Sequence, residues 1–239
     1  MRKIRFGIKF SLKMLQIAIK RIIYPIKKNR LTEDEREKYL YNIENNWAKA
    51  TMKYSELEID VQGKENLIDE PCVYICNHQS VLDVPLIMAN INTVVGAIAK
   101  IELKKVPIAS YWIEEVGSVY IDRENGREGL KSILKGVEQL KNGRSMLVFP
   151  EGTRSRCSKM SEFKKGSLKL AIKANVPIIL ITVDGTYKGL EGEEQDMRAK
   201  IIFHKPIYVD ELTKDEKGNL VNLCKEIIEK PLIEGEINK

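Results

Sequence analysis

Cys72-Val73-Tyr74-Ile75-Cys76-Asn77-His78-Gln79-Ser80-Val81-Leu82-Asp83 joins a short apolar run to a polar turn and then to a helix start. Ser80 is a good N-cap and Asp83 stands three residues later, so a helix over 81–89 is expected. The same alternation recurs down the chain. Apolar runs at 94–99, 118–121, 146–149, 178–183 and 201–203 are separated by helical stretches near 126–141, 162–174 and 211–229. Such alternation predicts an α/β domain over 57–239, with a mixed sheet flanked by helices. A polar loop is expected at 191–198, and no internal repeat or low-complexity tract is present.

Upstream of that domain the pattern differs. Ile4, Ile8, Leu12, Leu15, Ile19, Ile22 and Ile26 recur every three or four residues, which is one continuous helical stripe. Lys and Arg at 2, 3, 5, 9, 13, 20 and 21 interrupt it too often for a bilayer span, and no short apolar core precedes a cleavage-type motif. A basic helix with a broad apolar stripe suits a membrane interface, attracted by anionic lipid and held by its apolar face. The same periodicity also suits a helix packed on its own protein with a basic outer face. Thr32 and Glu35 form a capping-box pattern, and Leu40, Ile43, Trp47 and Tyr54 continue a second helix. Pro25 with Lys27-Lys28-Asn29 is expected to break the two apart, giving a helical hairpin over 1–56.

The whole chain is 239 residues and 43% hydrophobic, enough to bury a sizeable core in one domain. Its net charge of +6 is local: residues 1–30 hold ten Lys or Arg and no acid, which leaves the remainder at −4. That distribution disfavours nucleic acid as a partner, because the basic residues accompany an apolar stripe. Cys72, Cys76, Cys157 and Cys224 show neither Cys-x-x-Cys pairing nor zinc-ligand intervals, and read as reduced core thiols of a cytoplasmic protein. No bound metal or prosthetic group is implied.

His78 and Asp83 are the first candidates for chemistry. A histidine base needs a carboxylate on its second ring nitrogen, to fix the tautomer and stabilise the imidazolium. Five residues along a regular helix would turn Asp83 about 140° away from His78. The pair can meet only if His78 lies on the loop before the helix and Asp83 in its first turn. Asp83 as a plain helix cap is the alternative. A second cluster, Phe149-Pro150-Glu151-Gly152-Thr153-Arg154-Ser155-Arg156, follows the run at 146–149, where α/β sheets bind ligands. Gly152 allows close backbone approach, Thr153 and Ser155 offer hydroxyls, and Arg154 and Arg156 present forks suited to phosphate. Its alternative is an exposed polar turn. Arg123 ends a third run, Gly117-Ser118-Val119-Tyr120-Ile121-Asp122-Arg123, and is expected on the same sheet edge as Glu151 and Arg154, or else in a surface salt bridge. His204 reads as a structural strand histidine, Trp47 and Trp112 as core or interface anchors, and Cys76 as core rather than nucleophile.

These stretches resemble the four sequence blocks of the glycerolipid acyltransferases, best matched by the 1-acyl-glycerol-3-phosphate acyltransferase family. His78 and Asp83 match its His-x-x-x-x-Asp block, Gly117 to Arg123 its Gly-x-x-x-Ile-x-Arg block, and Phe149 to Arg154 its Phe-Pro-Glu-Gly-Thr-Arg block. Val176-Pro177-Ile178-Ile179 matches its Val-Pro-Ile-x block, although Leu180 stands where related sequences often carry a second proline. Ala99-Lys100 with Glu102-Leu103, and Phe163-Lys164-Lys165-Gly166, resemble stretches between the blocks. The resemblance runs from about Cys72 to Val183.

It implies that His78, oriented by Asp83, deprotonates the sn-2 hydroxyl of lysophosphatidic acid. The alkoxide would then attack the thioester of acyl-CoA or acyl-carrier protein, a cosubstrate rather than a cofactor, to give phosphatidic acid. Arg123, Glu151, Gly152, Thr153 and Arg154 would bind the acceptor, with the arginines and Lys100 on its phosphate. Backbone amides after Asn77 are candidates for steadying the oxyanion. The partners implied are lysophosphatidic acid, an acyl thioester and an anionic membrane surface at the cytoplasmic face. Other readings are acylation of another lysophospholipid or of glycerol-3-phosphate, and a non-enzymatic lipid-binding protein. A serine hydrolase is disfavoured, because Gly-x-Ser-x-Gly is missing.

Overall fold

A computed structural model describes residues 1–122, 126–164, 166–191 and 196–237. The N-terminal hairpin consists of α1 (Arg2–Lys28) and α2 (Glu33–Ser55). The capping box closes as expected: Thr32 Oγ1 accepts from the Glu35 amide at 3.3 Å, and Glu35 Oε2 accepts from the Thr32 amide at 2.8 Å. Pro25 does not break α1, which continues to Lys28. The one hydrogen bond a helical proline forfeits falls in a turn that tertiary contacts hold. Tyr24 stacks on Tyr39 with ring centroids 4.9 Å apart, and Lys28 Nζ lies 2.6 Å from Glu115.

The apolar stripe of α1 faces outward. Ile4, Ile8, Leu12, Leu15, Ile19, Ile22 and Ile26 are all more than half exposed. Its inner side carries Ile17 and Tyr24, which bury against Leu40 and Ile43 of α2 and against Val94, Trp112 and Val116 of the main domain. The reading of α1 as a helix with a basic outer face is therefore corrected. The protein-facing side is narrow and aromatic, and the broad aliphatic side is left uncovered. The Arg2 guanidinium, donating to the Ser55 carbonyl at 3.1 Å, ties the start of α1 to the end of α2.

Among the described residues the main domain holds seven strands: β1 (Glu58–Gln62), β2 (Val73–Cys76), β3 (Val95–Lys100), β4 (Val119–Ile121), β5 (Ser145–Val148), β6 (Ile178–Asp184) and β7 (Arg198–Phe203). Their order is β1-β7-β6-β2-β5-β3-β4. All neighbours are parallel except β6 and β7, so the sheet is mixed. The helices are α3 (Asp83–Met88), α4 (Pro107–Glu115), α5 (Gly126–Lys141), α6 (Lys169–Ala174), α7 (Tyr187–Leu190) and α8 (Lys214–Ile237). α5, α6 and α8 cover one face of the sheet, and α2 with α3 covers the other.

Two elements escape the apolar-run reading. β1, Glu-Ile-Asp-Val-Gln, is an edge strand that is half-buried only at Ile59 and Val61, so it offers alternation instead of a run. α4 opens with Pro107 at its first position and is apolar around most of its circumference. Conversely, the helix expected from 162 begins only at Lys169. Backbone amides of Ser161 and Lys164 are bonded to Glu151 and to the Pro150 carbonyl, which holds that stretch as a loop.

Neighbouring β2 and β5 send their chains to opposite faces, β2 to α3 and β5 to α6. This is a topological switch point, where the carboxyl ends of the strands open a crevice. His78 and the Glu151 cluster flank it.

One carboxyl in the second layer makes stability pH-dependent. Glu44 of α2 is buried, and desolvation pushes it up to about 8 against the pull of the Val95 amide on its Oε2. The folded state therefore keeps a proton that the unfolded chain releases near 4.5. Its contribution is complete below that value and is lost as pH rises toward 8. Stability is expected to fall across this window at up to about 1.4 kcal/mol per pH unit. Urea midpoints measured from pH 5 to 8 should decline in the wild type and flatten in Glu44→Gln; parallel profiles would refute it.

Candidate active site

His78 lies on the loop after β2, and Asp83 opens α3, as the pairing requires. His78 Nδ1 lies 2.7 Å from Asp83 Oδ2. Asp83 is fully buried and its Oδ2 also accepts from the Gln79 amide at 2.6 Å and the Ser80 amide at 2.9 Å. Its Oδ1 accepts from Thr186 Oγ1 at 2.5 Å. A carboxylate held by so many donors stays an acceptor, so Nδ1 carries the proton and Nε2 holds the free lone pair. Among the described residues nothing bonds to Nε2. The ring stacks on Phe149 with centroids 3.9 Å apart, leaving one edge open to solvent. Asp83 thus caps the loop and orients the imidazole at once.

The loop is fixed from three sides. Asn77 makes paired hydrogen bonds of 2.8 Å with the backbone of Val183, imitating a strand partner of β6. The His78 and Gln79 carbonyls accept from the Ser155 and Arg156 amides at 2.8 and 3.2 Å. Glu151 Oε1 accepts from the His78 amide at 2.6 Å, and its Oε2 from the Ser161 amide at 2.7 Å. Glu151 is buried, and desolvation raises its pKa while these two backbone donors oppose the rise.

Of the expected acceptor residues, Glu151 points inward, with both oxygens engaged by backbone. Gly152 sits at φ +73°, a left-handed conformation that favours glycine, and a Cβ there would meet only the movable end of the Lys164 side chain. Thr153 is exposed at the rim. Arg154 is one-third exposed and pairs with Glu191 at 3.3 Å. Lys100, at the end of β3 on the same sheet edge, is exposed and pairs with Glu102 at 2.8 Å. Arg123 lies outside the described residues, as do Lys165 and residues 192–195 of the polar loop.

The amides after Asn77 have internal partners. Those of His78, Gln79, Ser80 and Val81 go to Glu151, Asp83, Asp83 and Glu191. They serve the loop instead of an oxyanion. Glu191 was not legible as a participant: it gathers Ser80 Oγ at 2.6 Å, the Val81 amide at 3.1 Å and Arg154 from 37 or more residues away. Thr186 likewise stands 103 residues from Asp83.

Other residues take structural places. Cys76 is buried with its thiol pushed far up by desolvation, which suits core and not nucleophile. Cys72 and Cys224 are also buried, whereas Cys157 is exposed on the loop after Arg154, against its reading as a core thiol. His204 Nε2 donates to Thr182 Oγ1 at 2.8 Å, since that hydroxyl already gives its own proton to the Ile228 carbonyl. Trp112 is buried beneath α1. Leu180 is fully buried in β6, and the Val176–Ile179 block sits at the far end of that strand from His78, so it builds the sheet without touching the site. Among the described residues no cluster of His, Cys, Asp or Glu fits a metal ion, and no helix is long and apolar enough to cross a membrane.

A doubly wound α/β sheet with a histidine held on a buried carboxylate at its switch point is a geometry suited to general-base chemistry. The chain belongs to the acyltransferase family, whose model matches residues 58–184. It is 34% identical over 194 residues to a chloroplastic 1-acyl-sn-glycerol-3-phosphate acyltransferase of Brassica napus, covering 78% of this chain and 56% of that protein. It is 34% identical over 193 residues to the 1-acyl-sn-glycerol-3-phosphate acyltransferase of Saccharomyces cerevisiae, covering 74% and 63%. The chain thus spans less than two thirds of the length of these relatives. The crystal structure of PlsC, the 1-acyl-sn-glycerophosphate (LPA) acyltransferase of Thermotoga maritima, superposes with a TM-score of 0.78 at 28% identity, covering 99% of this chain and 98% of that one.

Proposed function

We propose that this chain moves a fatty acyl group from a thioester, acyl-CoA or acyl-carrier protein, to the sn-2 hydroxyl of lysophosphatidic acid, forming phosphatidic acid. The observation that carries the reading is the His78–Asp83 pair with Nε2 alone left open. Nε2 takes the hydroxyl proton as the oxygen attacks the thioester carbonyl. Collapse of the tetrahedral intermediate breaks the C–S bond, and the imidazolium returns the proton to the departing thiolate. No covalent enzyme intermediate is required. Arg154 and Lys100 on the same edge, with Arg123, supply charge for the acceptor phosphate. That phosphate would compete with Glu191 for Arg154. The names of the plant, yeast and Thermotoga relatives support this acceptor.

The outward stripe of α1 supports docking on an anionic membrane, from which a lysolipid is collected, and the cytoplasmic face is our proposal for where this occurs. The exposed aliphatics would enter the interface while Lys and Arg flank them. Deleting 1–26 would test this poorly, since Ile17 and Tyr24 belong to the core. Replacing Ile8, Leu12 and Leu15 with serine spares that core. Each lost aliphatic contact is worth about 1–2 kcal/mol, so the triple variant should leave phosphatidylglycerol-containing vesicles by at least about tenfold in partitioning. Unchanged co-sedimentation would refute the docking face. Transfer from labelled acyl-CoA and acyl-carrier protein to lysophosphatidic acid, other lysophospholipids and glycerol-3-phosphate tests the reaction itself; absence of transfer to every acceptor would leave lipid binding alone.

A further inference from the structure

Asp83 is joined to the rest of the site through two oxygens with different company. Oδ2 receives His78 Nδ1 and two backbone amides from the adjacent loop. Oδ1 has one hydrogen-bond partner among the described residues, the Thr186 hydroxyl at 2.5 Å. Thr186 is fully buried, so its proton has no exchange with water as an alternative. The turn that delivers it is built for that placement. Gly185 sits at φ +83°, where a Cβ would lie 2.5 Å from the Arg198 carbonyl, and its amide donates to Gln79 Oε1 at 2.9 Å. Two residues earlier, Val183 is clamped by Asn77.

We propose that Thr186 is a positioning residue that sets the basicity of His78 by drawing negative charge on Asp83 toward Oδ1. A donor on Oδ1 lowers the charge that Oδ2 presents to the imidazolium, so the ring holds its proton less tightly and is available as a base at lower pH. The other groups around the pair are fixed by partners of their own. Glu151 faces the two backbone amides, Glu191 is matched by Arg154, Asp184 is within 3.5 Å of Gln79 Nε2, and the Cys76 thiol is buried and neutral. Thr186 is thus the contact on Asp83 that a side-chain change can remove without altering the loop that carries His78. The inference rests on the reading of His78 as base, whereas the titration midpoint that tests it is read whether or not His78 is the base.

The chain has two histidines, so imidazole resonances of the full-length protein are assigned with a single His204→Gln variant. Thr186→Val keeps the shape and deletes the donor; Thr186→Ser keeps the donor. The His78 titration midpoint, followed by proton–carbon NMR, is expected to rise by about half a pH unit or more in Thr186→Val and to return to the wild-type value in Thr186→Ser. The acid limb of kcat should move by the same amount with KM for the acceptor unchanged. A wild-type midpoint in folded Thr186→Val overturns the inference. If valine prevents folding, Thr186→Ala carries the same expectation and the same refutation. Transfer that survives His78→Ala would instead refute the base, whatever the titration shows.

Discussion

Replacing His78 by alanine is expected to lower kcat for acyl transfer by about 10³–10⁴-fold, the upper range for a positioned general base. The fold should survive the change. Asp83 keeps its two amide donors and Thr186, and Glu151 keeps the amide of residue 78, because that bond is to backbone. What is lost is a partly exposed ring, its stacking on Phe149 and its 2.7 Å hydrogen bond to Asp83, whose remaining three donors still satisfy both carboxylate oxygens. The melting temperature should therefore move by only a few degrees, and KM for the acceptor should change little, since Arg154 and Lys100 are untouched. Single-turnover transfer from labelled thioester to lysophosphatidic acid, measured beside thermal melts, separates the two effects. A folded variant with near-wild-type kcat would show that Nε2 is not the proton acceptor.

Legibility followed the range of each interaction. The α1 stripe, the Thr32 capping box and the pairing of His78 with Asp83 are written within a few residues of one another, and all three stand in the structure. The strand ahead of the Glu151 cluster was readable because β5 is a continuous apolar run, as central parallel strands are. Direction was not readable. The periodicity of α1 marks an apolar face, but whether that face turns inward depends on the aromatic contacts of Tyr24 and Trp112, which come from distant segments. The contacts of Glu151, Glu191 and Thr186 were hidden for the same reason. Glu151 looks like a ligand group in sequence, because only the fold shows the His78 and Ser161 amides on either side of it.

Its buried place between two backbone amides gives Glu151→Gln the second large effect. The carboxylate accepts one amide on each oxygen, and both amides are backbone donors in a buried place. Glutamine preserves volume but offers one acceptor oxygen; its amide nitrogen must face the other N–H, leaving a donor against a donor. Such an uncompensated buried group costs about 2–4 kcal/mol. For a chain of this size that is a fall in melting temperature of roughly 5–15 °C. The same change loosens either His78 or the Ser161 turn, so kcat should fall by about 10²-fold, since small misplacements of a catalytic group cost on this scale. An acceptor-binding role predicts the reverse pattern: a melting temperature like the wild type's, kcat largely kept, and KM for lysophosphatidic acid alone raised. Thermal melts together with kcat and KM on the same preparation distinguish them. Glu151→Gln with native stability and an isolated KM defect would move Glu151 from the scaffold of the base to the acceptor site.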